Sequence, residues 1–169
     1  MIDDNTILTA AHCFDDLIED IDRGKIKVCF GKKNWSKGCK RQDLSIVRSA
    51  ELHEDYDPER LTDDIAIAHL DRDFPDVEKA PLPTADSDVV GASKTYGYGK
   101  IRTPVYRWKK NQWVMVKYGK NSDKLRMLTS MTIDSNTCNS IKPPFRLADD
   151  RDLCLDSKRG KNICEGDSG

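Results

Sequence analysis

Three side chains in this sequence could together cleave an acyl bond. They are His12 in Thr9-Ala10-Ala11-His12-Cys13, Asp64 in Asp64-Ile65-Ala66-Ile67, and Ser168 in Gly166-Asp167-Ser168-Gly169. A serine hydroxyl is a weak nucleophile at neutral pH and needs a base within hydrogen-bond reach. A histidine suits that role, because it can take the proton and later return it to a leaving group. A carboxylate behind the imidazole fixes its tautomer and stabilises the imidazolium. Base, acid and nucleophile in the order His…Asp…Ser therefore read as a device for covalent acyl transfer. Two other histidines compete with His12. His53 lies in His53-Glu54-Asp55-Tyr56 and His69 among apolar neighbours, and both read better as packed structural residues.

Positioning such groups takes a folded scaffold, and 169 residues suffice for one domain or two small ones. Charged residues make up 34% and apolar residues 37%, so a core with long solvated loops is expected. The net charge of −1 supplies no bulk field for nucleic acid or an anionic membrane. No apolar run approaches the length of a membrane span, and the first five residues lack the basic and apolar regions of a signal peptide. The six cysteines (Cys13, Cys29, Cys39, Cys138, Cys154 and Cys164) form no Cys-x-x-Cys pair. They read as disulfides made in an oxidising compartment, and with the sequon Asn34-Trp35-Ser36 they point to a secreted protein.

Short alternating or apolar runs predict strands over residues 25–30, 44–52, 64–70, 95–99, 124–133 and 153–155. Residues 134–138 are expected to open a short helix capped by Asp134 or Ser135. Residues 71–88 hold Pro75, Pro81 and Pro83 and read as an extended connection between two lobes. Many short strands with little helical period predict an all-β barrel or sandwich.

Five landmarks, in order, identify a family. They are Leu8-Thr9-Ala10-Ala11-His12-Cys13, Asp64-Ile65-Ala66-Ile67, Ala80-Pro81-Leu82-Pro83, Gly97-Tyr98-Gly99 and Cys164-Glu165-Gly166-Asp167-Ser168-Gly169. With them the chain resembles the trypsin/chymotrypsin-family serine endopeptidases over residues 8–169. The resemblance implies a chymotrypsin-like double β-barrel, with residues 1–88 as an N-terminal lobe plus connection and residues 89–169 as a C-terminal lobe. It implies a catalytic triad of His12, Asp64 and Ser168. Asp63 then becomes a turn residue, because the family's acid directly precedes the Ile-Ala pair. The backbone N–H groups of Gly166 and Ser168 would form the oxyanion hole, where glycine lets the main chain approach the substrate. Asp167 would be the residue that binds the new N-terminal ammonium after activation cleavage.

Six residues before the nucleophile, where a trypsin-like pocket carries aspartate, this chain has Asn162. A strong Arg or Lys preference is therefore not expected. Ile163 would narrow the pocket floor, and Glu165 is read as a solvated rim charge. The choice among large apolar, small apolar and polar preferences stays open. Cys138 with Cys154 matches a family disulfide, and Cys29 with Cys39 is a local bridge less standard for the family. Cys13 and Cys164 would pair with cysteines beyond the two ends of the chain. The resemblance implies a monomer acting on protein or peptide substrates and meeting an inhibitor or an activating protease. It implies no cofactor, and the basic stretch 30–40 lacks the paired carboxylates of a calcium loop, so no metal is expected.

Against the family pattern, the double barrel is expected to be incomplete at both termini, with the first strands, the activation site and the wall after Gly169 missing. The chain alone is accordingly expected to be unstable or inactive, and a protease-like binding or regulatory protein is the rival reading. Residues 102–121 have no clear family counterpart. They contain Arg107-Trp108-Lys109-Lys110, then Trp113, Lys117, Tyr118 and Lys120. Basic residues interleaved with aromatics could hold a nucleic-acid strand. The overall charge does not support that; an inserted surface loop, with a hairpin as one form of it, is expected instead, in reach of a substrate or protein partner.

Overall fold

The computed structural model describes residues 1–84, 90–102, 105–110, 112–117, 120–140, 153–156, 163 and 166–167. The architecture is all-β, with two short α-helices among the described residues. The first sheet has four antiparallel strands in the order β1-β4-β3-β2, formed by β1 (Thr6–Thr9), β2 (Lys27–Cys29), β3 (Leu44–Leu52) and β4 (Ala66–Leu70). Its core comprises Ala11, Phe14, Ile21, Val47, Ala66, Ala68 and Leu70.

The two central strands explain why that core closes. In β4, Ala66, Ala68 and Leu70 are buried, the period-two pattern of a strand with one face inward. In β3 the inward parity changes along the strand. Ser45 and Val47 are buried near its start, while Ala50 and Leu52 pack against the core near its end. A shift of register between Val47 and Ser49 supplies the extra residue that makes this switch, as a β-bulge does. Just beyond β4, Asp71 fastens the sheet. Its Oδ1 accepts from the Ser45 hydroxyl at 2.5 Å and from the Ile46 N–H at 2.9 Å.

Helix α1 (Ile18–Asp22) was not anticipated from the sequence. At five residues it is too short to show a helical period, and it buries Ile21. The connection after β4 lies against the N-terminal residues. Phe74 N–H donates to the Asp4 carbonyl, Ala80 N–H donates to the Met1 carbonyl, and Lys79 pairs with Asp4 at 2.5 Å.

The second sheet has three strands in the order β11-β10-β5. Strand β5 (Gly91–Gly97) pairs with β10 (Arg126–Ile133) from Gly91↔Thr132 to Gly97↔Arg126, and β11 (Cys154–Asp156) joins the far edge of β10. Helix α2 (Ser135–Ser140) follows β10. Asp134 caps it by accepting from the Thr137 N–H at 2.8 Å and the Thr137 hydroxyl at 2.6 Å, which decides between the two capping candidates. Disulfides join Cys138 to Cys154 and Cys29 to Cys39.

Between β5 and β10 the chain makes two further strand pairs. Strand β6 (Lys100–Arg102) pairs with β9 (Lys120–Asn121), and β7 (Val105–Lys109) pairs with β8 (Gln112–Lys117). The insertion is thus a hairpin, and Lys110 at φ 48° sits at its turn. No helix of the described residues is long and apolar enough to cross a membrane.

Candidate active site

His12 and Asp64 are 52 residues apart, and the first sheet brings them together. Strands β1 and β4 run antiparallel with Thr9 opposite Ala66, so the end of one adjoins the start of the other. After β1 the chain tightens into a 3-10 turn over Ala11–Cys13. Ala11 and Phe14 are buried and anchor this turn, leaving the His12 side chain 37% exposed. Before β4 the chain is bent by Leu61 and Asp63, both at positive φ (54° and 53°). That places Asp63 in the turn and Asp64 at the end of the strand facing His12.

Asp64 engages His12 with both carboxylate oxygens. Oδ1 accepts the His12 backbone N–H at 2.8 Å, and Oδ2 lies 2.6 Å from Nδ1. An ionised carboxylate only accepts, so Nδ1 carries the proton, and in the neutral ring it is Nε2 that presents a lone pair. The Asp64 carboxyl is held below its ordinary value. Burial opposes this, and the hydrogen bonds and charge of His12, with the Ala11 N–H, outweigh it. The surroundings are acidic: burial, then the charges of Asp15, Asp64, Asp16 and Asp57, push the Tyr56 hydroxyl upward. Nε2 lies 3.7 Å from the Cys13 thiol, which forms no disulfide among the described residues. The pair can therefore hold an imidazole in one tautomer and take a proton at Nε2.

The other histidines sit apart from this pair. His69 in β4 contacts the Thr6 hydroxyl at 3.3 Å through Nδ1 and Glu51 at 3.5 Å through Nε2. His53 is exposed rather than packed as expected, because it lies in the polar loop after β3, and its Nδ1 accepts the Asp55 N–H.

The segment before the serine is seated on the second sheet. Gly99 N–H donates to Asp167 Oδ1 at 2.6 Å. A β-carbon at Gly97 or at Gly99 would overlap the Asp167 carboxylate, so Gly97-Tyr98-Gly99 is a seat that only glycine leaves open. Gly166, at φ 89°, lies against Gly99 and Asn121. Sequence reasoning found the glycine-rich turn but missed its purpose. The signal was present as two glycines at i and i+2, whose side-chain space on one face of a strand end is left empty.

One comparison now decides the family: the trypsin family model matches residues 1–169. The chain belongs to the trypsin family. Among curated trypsin-family relatives, it is 28% identical over 175 aligned residues to brachyurin from Leptuca pugilator, covering all of this chain and 66% of the relative. It is 26% identical over 166 residues to chymotrypsin from Phaedon cochleariae, covering 96% of this chain and 53% of the relative. The chain thus spans between about half and two thirds of the length of these relatives.

Of the expected trypsin-family site, His12, Asp64, Gly166 and Asp167 are placed as above, and Ile163 is 39% exposed. Ser168, Asn162, Glu165 and Cys164 lie outside the described residues. Among the described residues no group of three His, Cys, Asp or Glu side chains is arranged to hold a metal ion.

Proposed function

We propose that the protein containing this chain is a serine endopeptidase in which His12, Asp64 and Ser168 act as the triad. The observation that carries the reading is the double engagement of His12 by Asp64, which leaves Nε2 ready to accept a proton. In the proposed cycle Nε2 takes the Ser168 proton as Oγ attacks a peptide carbonyl. The amine leaves with that proton, and water releases the acyl group by the same path. The Gly166 and Ser168 N–H groups stabilise the oxyanion. Seating of Asp167 on Gly97 and Gly99 supports this role for Gly166, because it fixes the backbone just before the nucleophile.

The reading extends to a secreted monomer with two lobes, residues 1–88 and 89–169, acting on protein or peptide substrates and subject to an inhibitor or an activating protease. Asn162, Ile163 and Glu165 would shape a pocket without a strong Arg or Lys preference.

A fluorophosphonate probe tests the reading on the native protein. Labelling at Ser168, identified by peptide mass, is the expected result. Absence of label on folded protein would sink the proteolytic reading and leave a trypsin-like binding or regulatory protein.

A further inference from the structure

Asn34-Trp35-Ser36 is the one Asn-x-Ser/Thr triplet in the sequence, and the fold gives it a setting that the triplet alone does not specify. It lies in the loop that the Cys29–Cys39 disulfide closes. The main chain there is fixed from outside the loop. Asn34 forms an antiparallel bridge with Lys124, Trp35 N–H donates to the Asp123 carbonyl at 2.7 Å, and Leu125 N–H donates to the Lys33 carbonyl at 3.0 Å. The other side of the loop is open. Trp35, Ser36, Lys37 and Gly38 are exposed, and a β-carbon built on Gly31 or on Gly38 would meet nothing within 4 Å.

The two ends of the Asn34 amide are used differently. Its Oδ1 caps the 3-10 turn over Trp35–Lys37, accepting from the Ser36 N–H at 3.0 Å and from the Ser36 hydroxyl at 2.7 Å. Its Nδ2 makes no hydrogen bond among the described residues. Asn34 is only half-buried, and no unpartnered side-chain nitrogen of the described residues is shut away from solvent, so Nδ2 reaches water. Asn5 shows the contrast, because there Nδ2 donates to Asp73 Oδ1 at 3.0 Å. A sugar joined to Nδ2 replaces one amide hydrogen and leaves the carbonyl oxygen as an acceptor. Modification of Asn34 would therefore keep the cap that shapes the loop.

We propose that Asn34 carries an N-linked oligosaccharide. The donor is a lipid-linked oligosaccharide pyrophosphate. Nδ2 attacks the anomeric carbon, and the bond from that carbon to the pyrophosphate oxygen breaks. The pyrophosphate leaves with the electron pair, and Nδ2 gives up one proton to a base of the transferase. The Ser36 hydroxyl is the group that makes this asparagine an acceptor. The proposal rests on the secreted reading, since donor and transferase are met on the secretory route. It does not depend on the triad.

The test is to digest the native protein to peptides and treat them with a peptide N-glycosidase in heavy-oxygen water. That enzyme converts a glycosylated Asn to an Asp bearing the heavy oxygen. The expected result is the heavy label at position 34, with the intact protein losing the mass of the glycan when it is treated. In secreting cells Ser36→Ala should abolish that loss of mass, and Ser36→Thr should retain it. Unlabelled Asn34 in protein whose Cys29–Cys39 and Cys138–Cys154 disulfides are formed would overturn the proposal and leave the secreted reading standing. Unlabelled Asn34 with those cysteines as free thiols would sink both. A loss of mass that survives Ser36→Ala would put the glycan elsewhere and overturn the proposal equally. Peptide mapping of the wild type decides the matter even if a variant misfolds.

Discussion

Residues 1–84 and residues 90–167 both present antiparallel strands, yet they are held together differently. The first region encloses seven buried apolar residues from β3, β4, α1 and the turn after β1. In the second, the buried side chains among the described residues are serines, Ser122 and Ser130, while Tyr96, Met127 and Met131 are about half exposed. Among its described contacts are strand pairing, a disulfide, a helix cap and the seat for Asp167. The candidate base and acid thus stand beside an apolar core. The segment leading to the candidate nucleophile rests on local polar contacts. A site divided this way can keep its proton-transfer pair fixed while the other half responds to changes at a few contacts.

The largest expected effect tests whether the first region's geometry serves the chemistry. Replacing Asp64 by Asn removes the acceptor that selects the Nδ1–H tautomer. Fluorophosphonate labelling of the native protein should then slow by about 10⁴-fold, with little change in folding. Labelling at an undiminished rate would sever the pair from the reaction.

The next test addresses the comparison directly. Leu70→Ala empties a buried position in the first core and should cost about 2–5 kcal/mol in denaturant unfolding. Met131→Ala, on a side chain 49% exposed, should cost within about 0.5 kcal/mol. Equal costs would mean that the second sheet has a core of its own and that the contrast is wrong. Gly99→Ala comes next, because its β-carbon would collide with the Asp167 carboxylate. We expect a loss of about 1–3 kcal/mol, with the second sheet's hydrogen-exchange protection falling and that of β3 and β4 unchanged.

The same contrast governs what could be read from the sequence. The strand over residues 44–52 was legible to the residue because its apolar positions are confined between polar loops. Its bulge was not, since a parity switch shows only when both strands are paired. The His12–Asp64 pair was legible through motif order, but the carboxylate's grip on the His12 backbone N–H belongs to the 3-10 turn, which leaves no periodic trace. In the second region the helix cap was narrowed to two residues by residue type alone. The role of Gly97 and Gly99 was hidden because it depends on Asp167, some 70 residues away, and steric room is not a property of the glycines themselves. The insertion was foreseen as a surface loop, and a hairpin was one of the forms open to it. The junction of the loop over residues 31–41 with residues 123–125 required the tertiary fold.

The smallest expected effects come from acid, and they separate the two regions by mechanism. Asp71 is held below its ordinary value first by the Ser45 hydroxyl and then by the Ile46 N–H. Asp134 is held low first by the Thr137 hydroxyl and then by its N–H. A carboxyl depressed in the folded state binds its proton less readily there than in the unfolded chain. Its stabilisation is therefore complete above the unfolded value, near 4, and is lost as pH falls through the lower folded value. Asp134→Ala should lower the thermal midpoint at neutral pH by less than Leu70→Ala does. The difference between Asp134→Ala and wild type should close as pH drops below about 4. Asp71→Asn should behave likewise, with the change reported by β3 and β4 rather than by α2. A gap for Asp134 that persists at low pH would mean that the side chain acts there by packing rather than as a charged cap, and the second region would then depend less on polar contacts than its structure implies.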